Sequence, residues 1–566
     1  MIQTFTGLTA SFVLFAIVAI AGALATRPLW KAYPVLGYVY AVGSVGVVGW
    51  ALFVVFWINP TVGTALAVAV AVVSVVYLLW ARAWRMLART WPVVALSAGI
   101  MYAYVGFLFL WKSNEGNPFA LAALRFSYRR VAYPFDNIIP YFLANRTGAG
   151  QSTQNLFDGW NGSDRPPLES GLILLGDHVL SPLALTGYTL PFALSVVSQL
   201  VWVPALFALL RTLGLRVRTA TLGVVFAASS ATMLLNTTYT WPKLLSTALV
   251  LGTLTLLVAA IRKKISVRHG LVAGAVLFTL GALSHGEAAF AIPAIAVLAV
   301  VGLMRSRQRV LTILTAAVAA IATYLPWILY QTVFFPPGDR LLKWHLAGEE
   351  QPNSRSFLSA LIHAYSTTPI STLVHNRIVN FARIFSPDVF SGWSFTESSI
   401  GARRFHEYYD SSAVLSLALF VLLAMVVVGV VGLLRRRRAS VLARRIYRIN
   451  LLMLLCVVVW GLVLFRSDGA VVHQGSHVWI VIFLATSYVW LENWNRWVAF
   501  AVLAAQGLLT AIFYTQFFGH TDLSWPGFAV LVGGIAVVVV AVVASGGRGA
   551  SVAQPEATEP LTESRI

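Results

Sequence analysis

The residues best suited to catalysis lie in one polar segment, residues 129–175, of an otherwise apolar chain. Charged residues make up only 11% of the sequence, yet this segment carries four carboxylates and four guanidiniums: Asp136, Asp158, Asp164, Glu169, Arg129, Arg130, Arg146 and Arg165. A carboxylate within hydrogen-bonding reach of a hydroxyl can act as a general base. A guanidinium binds anions such as phosphate through paired N–H donors. We therefore expect the chemistry of the protein in this segment.

Asp136 ends the aromatic sequence YPFD, and two interpretations of it stay open. Its carboxylate is a candidate general base, because partial burial beside aromatic rings can tune it for that role. It is equally well placed to cap the helix predicted to start near Asn137, by accepting backbone N–H groups. Arg165 also has two interpretations, since its guanidinium can bind phosphate or pair with a neighbouring carboxylate. Pro166 and Pro167 hold it at a rigid entry to the next helix.

The elements that position these residues are predicted to be membrane helices. Hydrophobic residues make up 58% of the 566 residues, and the mean hydropathy is +0.79, as in a polytopic membrane protein. Each apolar run of roughly 18 to 25 residues can cross about 30 Å of hydrocarbon as a helix. We predict an all-α protein with about fifteen such spans, near residues 3–25, 34–58, 61–81, 91–111, 188–210, 219–236, 242–261, 270–284, 288–304, 310–332, 412–434, 449–465, 477–491, 497–515 and 525–545. The first run is expected to be a retained span.

The formal net charge of +20 is explained by membrane topology and does not require nucleic acid. When alternate loops are assigned to opposite sides, one side holds 25 basic and 4 acidic residues, and the other holds 15 basic and 16 acidic residues. Basic loops stay in the cytoplasm, so the pattern predicts a plasma-membrane protein with its N-terminus outside and its C-terminus in the cytoplasm. The Arg-rich run from Arg435 is interpreted as a topology determinant beside anionic lipid.

Functional groups collect on the predicted extracytoplasmic side. Nine of the ten histidines, all except His269, fall there, with 16 of the 20 acidic residues. The single cysteine, Cys456, lies within an apolar run, which excludes an intramolecular disulfide and a cysteine-based zinc site. We therefore predict that the chemistry faces outward.

The order of motifs around Asp136 carries a resemblance. The acidic-aromatic YPFD is followed by the amphipathic run IIPYFLANRTGAG and then by DRPPLESGLILL, residues 164–175. This order resembles the first extracytoplasmic loop of the GT-C membrane glycosyltransferases, in the branch of the aminoarabinose transferases and protein mannosyltransferases. In that family a catalytic acidic residue follows a membrane helix, and a Lys/Arg-Pro-Pro-Leu segment leads into the next one. The resemblance covers residues 91–332 and implies a GT-C-like core, in an actinobacterial protein.

The resemblance implies roles for particular residues. Asp136 would be the general base. The phosphate of the donor would be held by Arg165, Lys243, His285 and Arg129. Other substrate contacts would come from Asp158, Asp164, Glu169, Tyr133, Glu287, His473 and His477. Two positions depart from the family pattern, because Lys243 stands where an acidic residue is common and His285 stands where Leu-Thr-Lys-Gly has lysine. The resemblance assigns no cofactor, and it leaves open whether the carboxylates bind a divalent cation.

Several of these residues also have simpler interpretations. Lys243 can extend its ammonium to the membrane surface. His285 and Glu287 can pair in a surface turn, although ionisable groups between membrane segments are expensive unless they line a cavity. Asp158 and Asp164 can support the loop, orient the acceptor or bind a divalent ion. His473 and His477 are spaced for a metal only if helical, and the intervening glycine favours a turn, so phosphate or sugar contact is preferred.

The chain divides into five predicted parts. They are additional N-terminal helices at 1–90, a GT-C-like core at 91–332 with its outer loop at 112–187, an extracytoplasmic loop or lid at 333–411, C-terminal membrane helices at 412–545 and a disordered tail at 546–566. The first hypothesis is a glycosyltransferase that moves a sugar, with inversion, from a polyprenyl phosphate to a cell-envelope glycan or lipid. The partners would be donor, acceptor and membrane lipids.

Two alternatives come from other classes of protein. A transporter of lipid-linked glycans would distribute polar residues through both leaflets around a cavity that opens to either side. An O-antigen-type polymerase or ligase would place its key arginine and histidine between Phe335 and Asp410 and would not need Asp136.

Overall fold

The protein is an all-helical, multi-pass membrane protein. The computed structural model describes residues 2–113, 116–125, 135–351, 353–382, 415–434, 440–465, 477–515 and 522–547. Within these residues, β pairing is confined to two isolated bridges, Trp111–Leu523 and Phe157–Trp160. The predicted fold class is confirmed at this level. Residues Arg129, Tyr133 and His473, which the sequence singles out, lie outside the described residues.

The helices of the first half are α1 (Ile2–Ala25), α2 (Arg27–Trp30), α3 (Leu36–Ile58), α4 (Pro60–Trp80), α5 (Trp84–Leu108), α6 (Pro118–Arg125), α7 (Ile139–Gly148), α8 (Leu168–Leu180), α9 (Thr189–Gln199), α10 (Trp202–Leu213), α11 (Val217–Ala228), α12 (Ala231–Thr238) and α13 (Lys243–Ile261). The second half contains α14 (Val267–Ser284), α15 (Ile292–Leu303), α16 (Arg309–Leu329), α17 (Arg340–Ala347), α18 (Phe357–Thr367), α19 (Ile370–Ala382), α20 (Ala418–Leu434), α21 (Val441–Val463), α22 (His477–Trp494), α23 (Arg496–Thr515) and α24 (Trp525–Gly547). Short 3-10 turns lie at Phe135–Ile138, Gly162–Asp164, Ser181–Leu183 and Gly286–Ala291, and a π turn lies at Tyr330–Phe334.

The number of membrane spans differs from the prediction. Among the described residues, 11 helices are long and apolar enough to cross a membrane, or 12 if the bent pair α11 and α12 is one span. The predicted count of about fifteen is therefore not confirmed, although each predicted run overlaps a helix. The difference arises from that pair and from α20, α22 and α23, which are too short or carry too many polar groups to qualify.

The bend of 70° between α11 and α12 has a local cause. Ser229 and Ser230, which lie between the two helices, donate their hydroxyls to carbonyls of the preceding turn. Such bonds compete with helix continuation. The freed carbonyls find partners on other helices, since Tyr104 donates to the carbonyl of Ala228 at 2.6 Å and Thr510 donates to that of Ser229 at 2.6 Å. A break within the bundle is tolerated because these donors replace the lost backbone bonds.

The central helix of the bundle is α13. Its residues from Lys243 to Ala260 are all buried, and it packs against α3, α10, α14 and α22. A helix that is apolar on all sides, as this one is, belongs in such a position. At its first turn, Ser284 Oγ at the end of α14 donates to the carbonyl of Pro242 at 2.9 Å. The ends of several helices therefore meet beside Lys243.

Arginines satisfy helix ends on the opposite face of the bundle. Arg305 Nη1 donates to the carbonyl of Ile261, the last residue of α13, at 2.6 Å. Arg445 Nη1 donates to the carbonyl of Leu213, at the end of α10, at 3.1 Å. The last carbonyls of a helix lack internal donors and carry partial negative charge, so cationic donors stabilise them. The basic residues that predicted a cytoplasmic face thus also complete the helices there.

Helices α17 to α19, which lie in the predicted lid, dock on the end of α21. The backbone N–H of Phe465 donates to the carbonyl of His345 at 2.9 Å. Arg377 Nη1 donates to the carbonyl of Leu464 at 2.6 Å, and Asn380 Nδ2 donates to that of Gly461 at 3.1 Å. These contacts hold α17 at the end of the bundle that contains Lys243. Its function as a lid stays a prediction.

The last helix, α24, packs closely against α5 through glycines spaced by seven residues. A Cβ built on Gly534 would lie 2.4 Å from the backbone nitrogen of Ala103, and one built on Gly106 would lie 2.5 Å from that of Leu531. Gly99 and Gly527 make similarly close contacts. Small residues allow membrane helices to approach to backbone contact, which increases dispersion energy where water supplies no driving force.

This interface predicts opposite outcomes for two adjacent glycines. Gly534→Ala should reduce the free energy of unfolding by ~1–3 kcal/mol, because its methyl group meets the backbone of α5. Gly533→Ala should leave it unchanged or raise it by about 0.5–1 kcal/mol, because no atom lies within 4 Å of a Cβ there. Thermal unfolding in detergent compares the two variants. Equal midpoints for both would contradict this account of the interface.

Candidate functional site

The side chain of Lys243 is buried without a hydrogen-bonding partner. It is 1% exposed, and its Nζ donates no hydrogen bond to any of the described residues. The ammonium lies 4.2 Å from the centroid of the Trp241 ring, in a cation–π contact. Burying an ammonium costs several kcal/mol unless it is paired. The interpretation of Lys243 as a residue that extends to the membrane surface is therefore wrong for this structure.

The position of Lys243 is set by a buried relay. Gln199 Oε1 accepts the backbone N–H groups of Leu244 and Leu245 at 3.1 and 3.2 Å, so a side chain of α9 caps α13. Gln199 Nε2 in turn donates to Oε1 of Glu169 at 3.2 Å. Cap bonds of this type satisfy the free N–H groups of a first helical turn. Glu169, a predicted substrate contact, is 0% exposed and supports the site from beneath.

Asp136 lies beside this helix start and is oriented by three donors. Its Oδ2 accepts from Arg165 Nη2 at 2.6 Å. Its Oδ1 accepts from Trp241 Nε1 at 2.9 Å and from the Tyr239 hydroxyl at 3.4 Å. Arg165 thus pairs with Asp136 and not with the adjacent acidic residues. The contacts of the Asp136 carboxylate are side chains from distant segments, which is not the pattern of a helix cap.

The loop before α8 presents Arg165 through a stack on Trp160. The guanidinium carbons of Arg165 and Arg340 lie 4.1 and 3.8 Å from the centroid of this indole ring. Arg340 Nη1 also donates to the carbonyl of Gly159 at 2.8 Å. Planar guanidiniums stack on aromatic faces and keep their in-plane N–H groups free for anions. Trp160 therefore brings two arginines from different segments together.

The carboxylates of this loop have structural contacts. Asp164 Oδ2 accepts the backbone N–H of Asn161 at 2.9 Å in a capping box, and burial raises the pKa of Asp164. Asp158 is exposed, with a left-handed φ of 45° in a tight turn. Neither residue contacts Asp136 in the bonds that the structure shows. Loop support, one of the three roles open for them, describes their geometry best.

The end of α16 anchors the same loop. The Tyr330 hydroxyl bonds to Thr153 Oγ1 at 2.6 Å, and Gln331 Nε2 donates to the carbonyl of Ser163 at 2.8 Å. Both residues belong to the π turn that follows Pro326. A π turn rotates successive side chains relative to an α-helix, and such turns often occur at functional sites. Here the turn directs two polar side chains at the loop that carries Arg165.

A buried Glu–His pair forms the other side of the site. Glu287 Oε2 lies 2.8 Å from His477 Nδ1, and Glu287 Oε1 accepts the backbone N–H of His477 at 3.3 Å and the Thr247 hydroxyl at 3.2 Å. The side chains of Glu287 and His477 are 0% and 1% exposed. The predicted surface pairing of His285 with Glu287 is reduced to one bond, in which the Glu287 N–H donates to His285 Nδ1 at 3.2 Å.

Electrostatic interactions join these groups into one cluster. The carboxylates of Glu287 and Asp136 both act on the Lys243 ammonium. His285 interacts with Lys243, Arg165, His477 and His345, and burial lowers the pKa of His285 well below its usual range. Burial also lowers the pKa of His345 to about 4. We name this set the anion cluster: Asp136, Arg165, Lys243, His285, Glu287, His345 and His477.

All members of the anion cluster except His345 are among the site residues predicted from the sequence. The residues that contact or support the cluster, Trp241, Tyr239, Gln199 and Arg340, are not among them. The aromatic residues immediately before Lys243 were a signal, because indole and phenol groups at a polar helix start are common donors. His345 and Arg340 had no such signal, since α17 is placed by tertiary contacts.

The described residues contain no group of three or more His, Cys, Asp or Glu side chains arranged to bind a metal ion. The divalent cation that the sequence left open is therefore not supported by a donor set in this part of the chain. Comparison with family models, with curated proteins and with solved structures gave no match. The cluster combines an oriented carboxylate with an arginine and with a buried lysine that has no hydrogen-bonding partner among the described residues.

Glu169 predicts a dependence of stability on pH. Burial raises the pKa of its carboxyl to about 8 from the ordinary 4.5, against hydrogen bonds from Ser198, Ser195 and Gln199. Between these values the unfolded chain is ionised at this residue and the folded chain is protonated. The stabilisation is therefore complete below the lower value and is lost as the pH rises through the upper one.

We expect the thermal unfolding midpoint of the wild type to fall between about pH 5 and about pH 8, and that of Glu169→Gln to fall less, because glutamine mimics the protonated acid. Differential scanning fluorimetry in detergent across this range measures both. Glu350→Gln, at an exposed position, is the control and should follow the wild type. A slope unchanged in Glu169→Gln would show that Glu169 is ionised in the folded protein.

Proposed function

We propose that the protein is a GT-C-type glycosyltransferase that moves a sugar, with inversion, from a polyprenyl phosphate to a cell-envelope glycan or lipid on the extracytoplasmic face. The observation that carries this proposal is the Lys243 ammonium, which is 1% exposed and has no hydrogen-bonding partner among the described residues. A buried lysine without a hydrogen-bonding partner is costly to stability and is typical of a site for an anionic ligand. A phosphate is such a ligand.

Asp136 supplies the second part of the proposed reaction. It would accept the proton of the acceptor hydroxyl while the acceptor oxygen bonds to the anomeric carbon. The bond from that carbon to the phosphate oxygen breaks, and the phosphate keeps the electron pair. The developing negative charge is then stabilised by Lys243 and Arg165. Because Asp136 and Arg165 are bonded at 2.6 Å, the base and one phosphate ligand are held in a fixed relation.

The membrane setting supports a lipid-linked donor. The cluster lies at the ends of α13, α14 and α22, where apolar helices meet polar loops. A polyprenyl chain can remain in the hydrocarbon region while its phosphate reaches this depth. In the proposed topology this face is extracytoplasmic, because the opposite end of the bundle carries the basic loops.

The first test is transfer from a panel of radiolabelled polyprenyl-phosphate sugars by the purified protein. Asp136→Asn should lower kcat by about 10²–10⁴ through loss of the base, with a smaller effect on KM for the donor. Lys243→Met should chiefly weaken donor use, since it removes the phosphate ligand and keeps the volume. Asp522 is an exposed carboxylate, so Asp522→Asn is the matched control and should transfer sugar at the wild-type rate.

Thermal unfolding confirms that each variant is folded. Full activity of folded Asp136→Asn would place the base elsewhere. Absence of transfer by the wild type from every donor, with acceptor fractions supplied, would favour a transporter of lipid-linked glycans.

A second candidate function is supported by the two residues of α17. Arg340 lies 3.8 Å from the Trp160 centroid beside Arg165, and His345 interacts with Arg165 and Lys243. These are an arginine and a histidine from the segment between Phe335 and Asp410, as an O-antigen-type polymerase or ligase requires. A diphosphate-linked donor would bring a second phosphate to the site, and Arg340 would provide an additional cation for it.

The donor decides between the two functions. If the donor is a polyprenyl diphosphate, Arg340→Gln should reduce transfer by about 10- to 100-fold, since one charge-assisted contact is worth about 1.5–3 kcal/mol. If the donor is a monophosphate, the same variant should retain most of its activity. Parallel assays with mono- and diphosphate-linked forms of one sugar measure this ratio, and Arg355→Gln on a neighbouring loop is the control.

A further inference from the structure

The anion cluster contains equal numbers of basic and acidic side chains, apart from its histidines. The basic residues are Arg165 and Lys243, and the acidic residues are Asp136 and Glu287. The polyprenyl phosphate that remains after sugar transfer is a phosphate monoester and adds about −1.5 to −2 at pH 7. Among the described members of the cluster, the histidines can add positive charge by taking up protons.

The three histidines differ in their ability to do so. Burial lowers the pKa values of His285 and His345, and the nearby Lys243 and Arg165 lower them further. His477 is instead bonded to a carboxylate, Glu287, at 2.8 Å. His477 is therefore, of the three, the histidine that lies directly against a carboxylate.

The geometry also leaves one nitrogen of His477 for a ligand. Nδ1 donates to Glu287 Oε2, and the backbone N–H of the same residue donates to Oε1. Thr247 holds Glu287 from α13 at 3.2 Å. The imidazole is thus fixed at the first residue of α22, and Nε2 is the nitrogen that remains for a phosphate. Lys243, from α13, interacts with Glu287 of this pair, and His285, from the turn after α14, interacts with His477.

We propose that His477 binds the phosphate of the lipid ligand as an imidazolium held by Glu287, so that phosphate binding takes up a proton. This inference rests on the proposed function, because it assumes that the cluster is a phosphate site. Nε2 takes a proton from solvent when the phosphate enters and donates that N–H to a phosphate oxygen. No covalent bond forms, and the proton returns to solvent when the phosphate lipid leaves.

The test measures binding and proton uptake without sugar transfer. Farnesyl phosphate is titrated into the purified full-length protein by calorimetry at about pH 7.5, in buffers with different enthalpies of ionisation, and farnesol serves as the ligand without phosphate. The variant is His477→Asn, because an asparagine amide can still donate to Glu287 in place of Nδ1 but has nothing in place of Nε2. His363→Asn, at an exposed histidine, is the matched control.

On binding farnesyl phosphate, the wild type and His363→Asn should each take up at least about half a proton more than His477→Asn does. Any protonation of the phosphate itself is the same in all three proteins and cancels in this comparison. When the pH is lowered from 8.5 to 6, the affinity of these two proteins for farnesyl phosphate should increase. The increase should be at least about tenfold larger than the increase for His477→Asn. Equal proton uptake in all three proteins would overturn the proposal, as would failure of the wild type to bind farnesyl phosphate.

Two further outcomes separate this inference from the proposed function. Proton uptake that depends on His477, in a protein that transfers no sugar, would support the phosphate site and overturn the glycosyltransferase. Sugar transfer by the wild type, together with proton uptake that is unchanged in His477→Asn, would support the glycosyltransferase and overturn the role proposed for His477. If the asparagine variant does not fold, His477→Gln replaces it, and zero proton uptake by the wild type between pH 6 and pH 8 overturns the proposal without any variant.

Discussion

The structure depends on one costly feature, a buried ammonium at the start of its central helix. Lys243 is 1% exposed and lacks a hydrogen-bonding partner among the described residues. In a bundle that contains few charges, such a group must be stabilised by carboxylates, by an aromatic face or by a ligand. Glu287, Asp136 and the Trp241 ring supply the first two. The third is what the proposed phosphate ligand would add.

The surrounding elements follow from the need to hold charges in fixed positions at this depth. Gln199 caps α13, and Glu169 orients Gln199 from below. Trp160 stacks two arginines, and the π turn after α16 anchors the loop that carries one of them. These supports are buried hydrogen bonds and ring contacts, which are rigid because their alternatives within the bundle are unsatisfied groups.

Features set by local sequence could be predicted for this protein, and features set by tertiary packing could not. Long apolar runs predicted helices correctly, because hydrocarbon thickness sets the length of a span. The count of about fifteen spans was not confirmed, since α11 and α12 bend by 70° and α22 carries polar side chains. Asp136 and Arg165 stand out in the sequence as polar groups in an apolar chain, the family resemblance adds Lys243, and the structure brings the three together. His345 has no such signal, because it reaches the cluster only through the docking of α17 on α21.

The sequence by itself determined the class of protein and the end of the bundle where polar chemistry collects, because hydrophobicity and charge act locally and leave a direct record in composition. Only the tertiary structure decided the partners. It paired Arg165 with Asp136 and not with its neighbours, and it joined Glu287 to His477 across 190 residues of chain. It also turned Glu169 into a buried support. Such pairings depend on which helix ends meet, and that is set by packing such as the glycine contacts of α5 with α24.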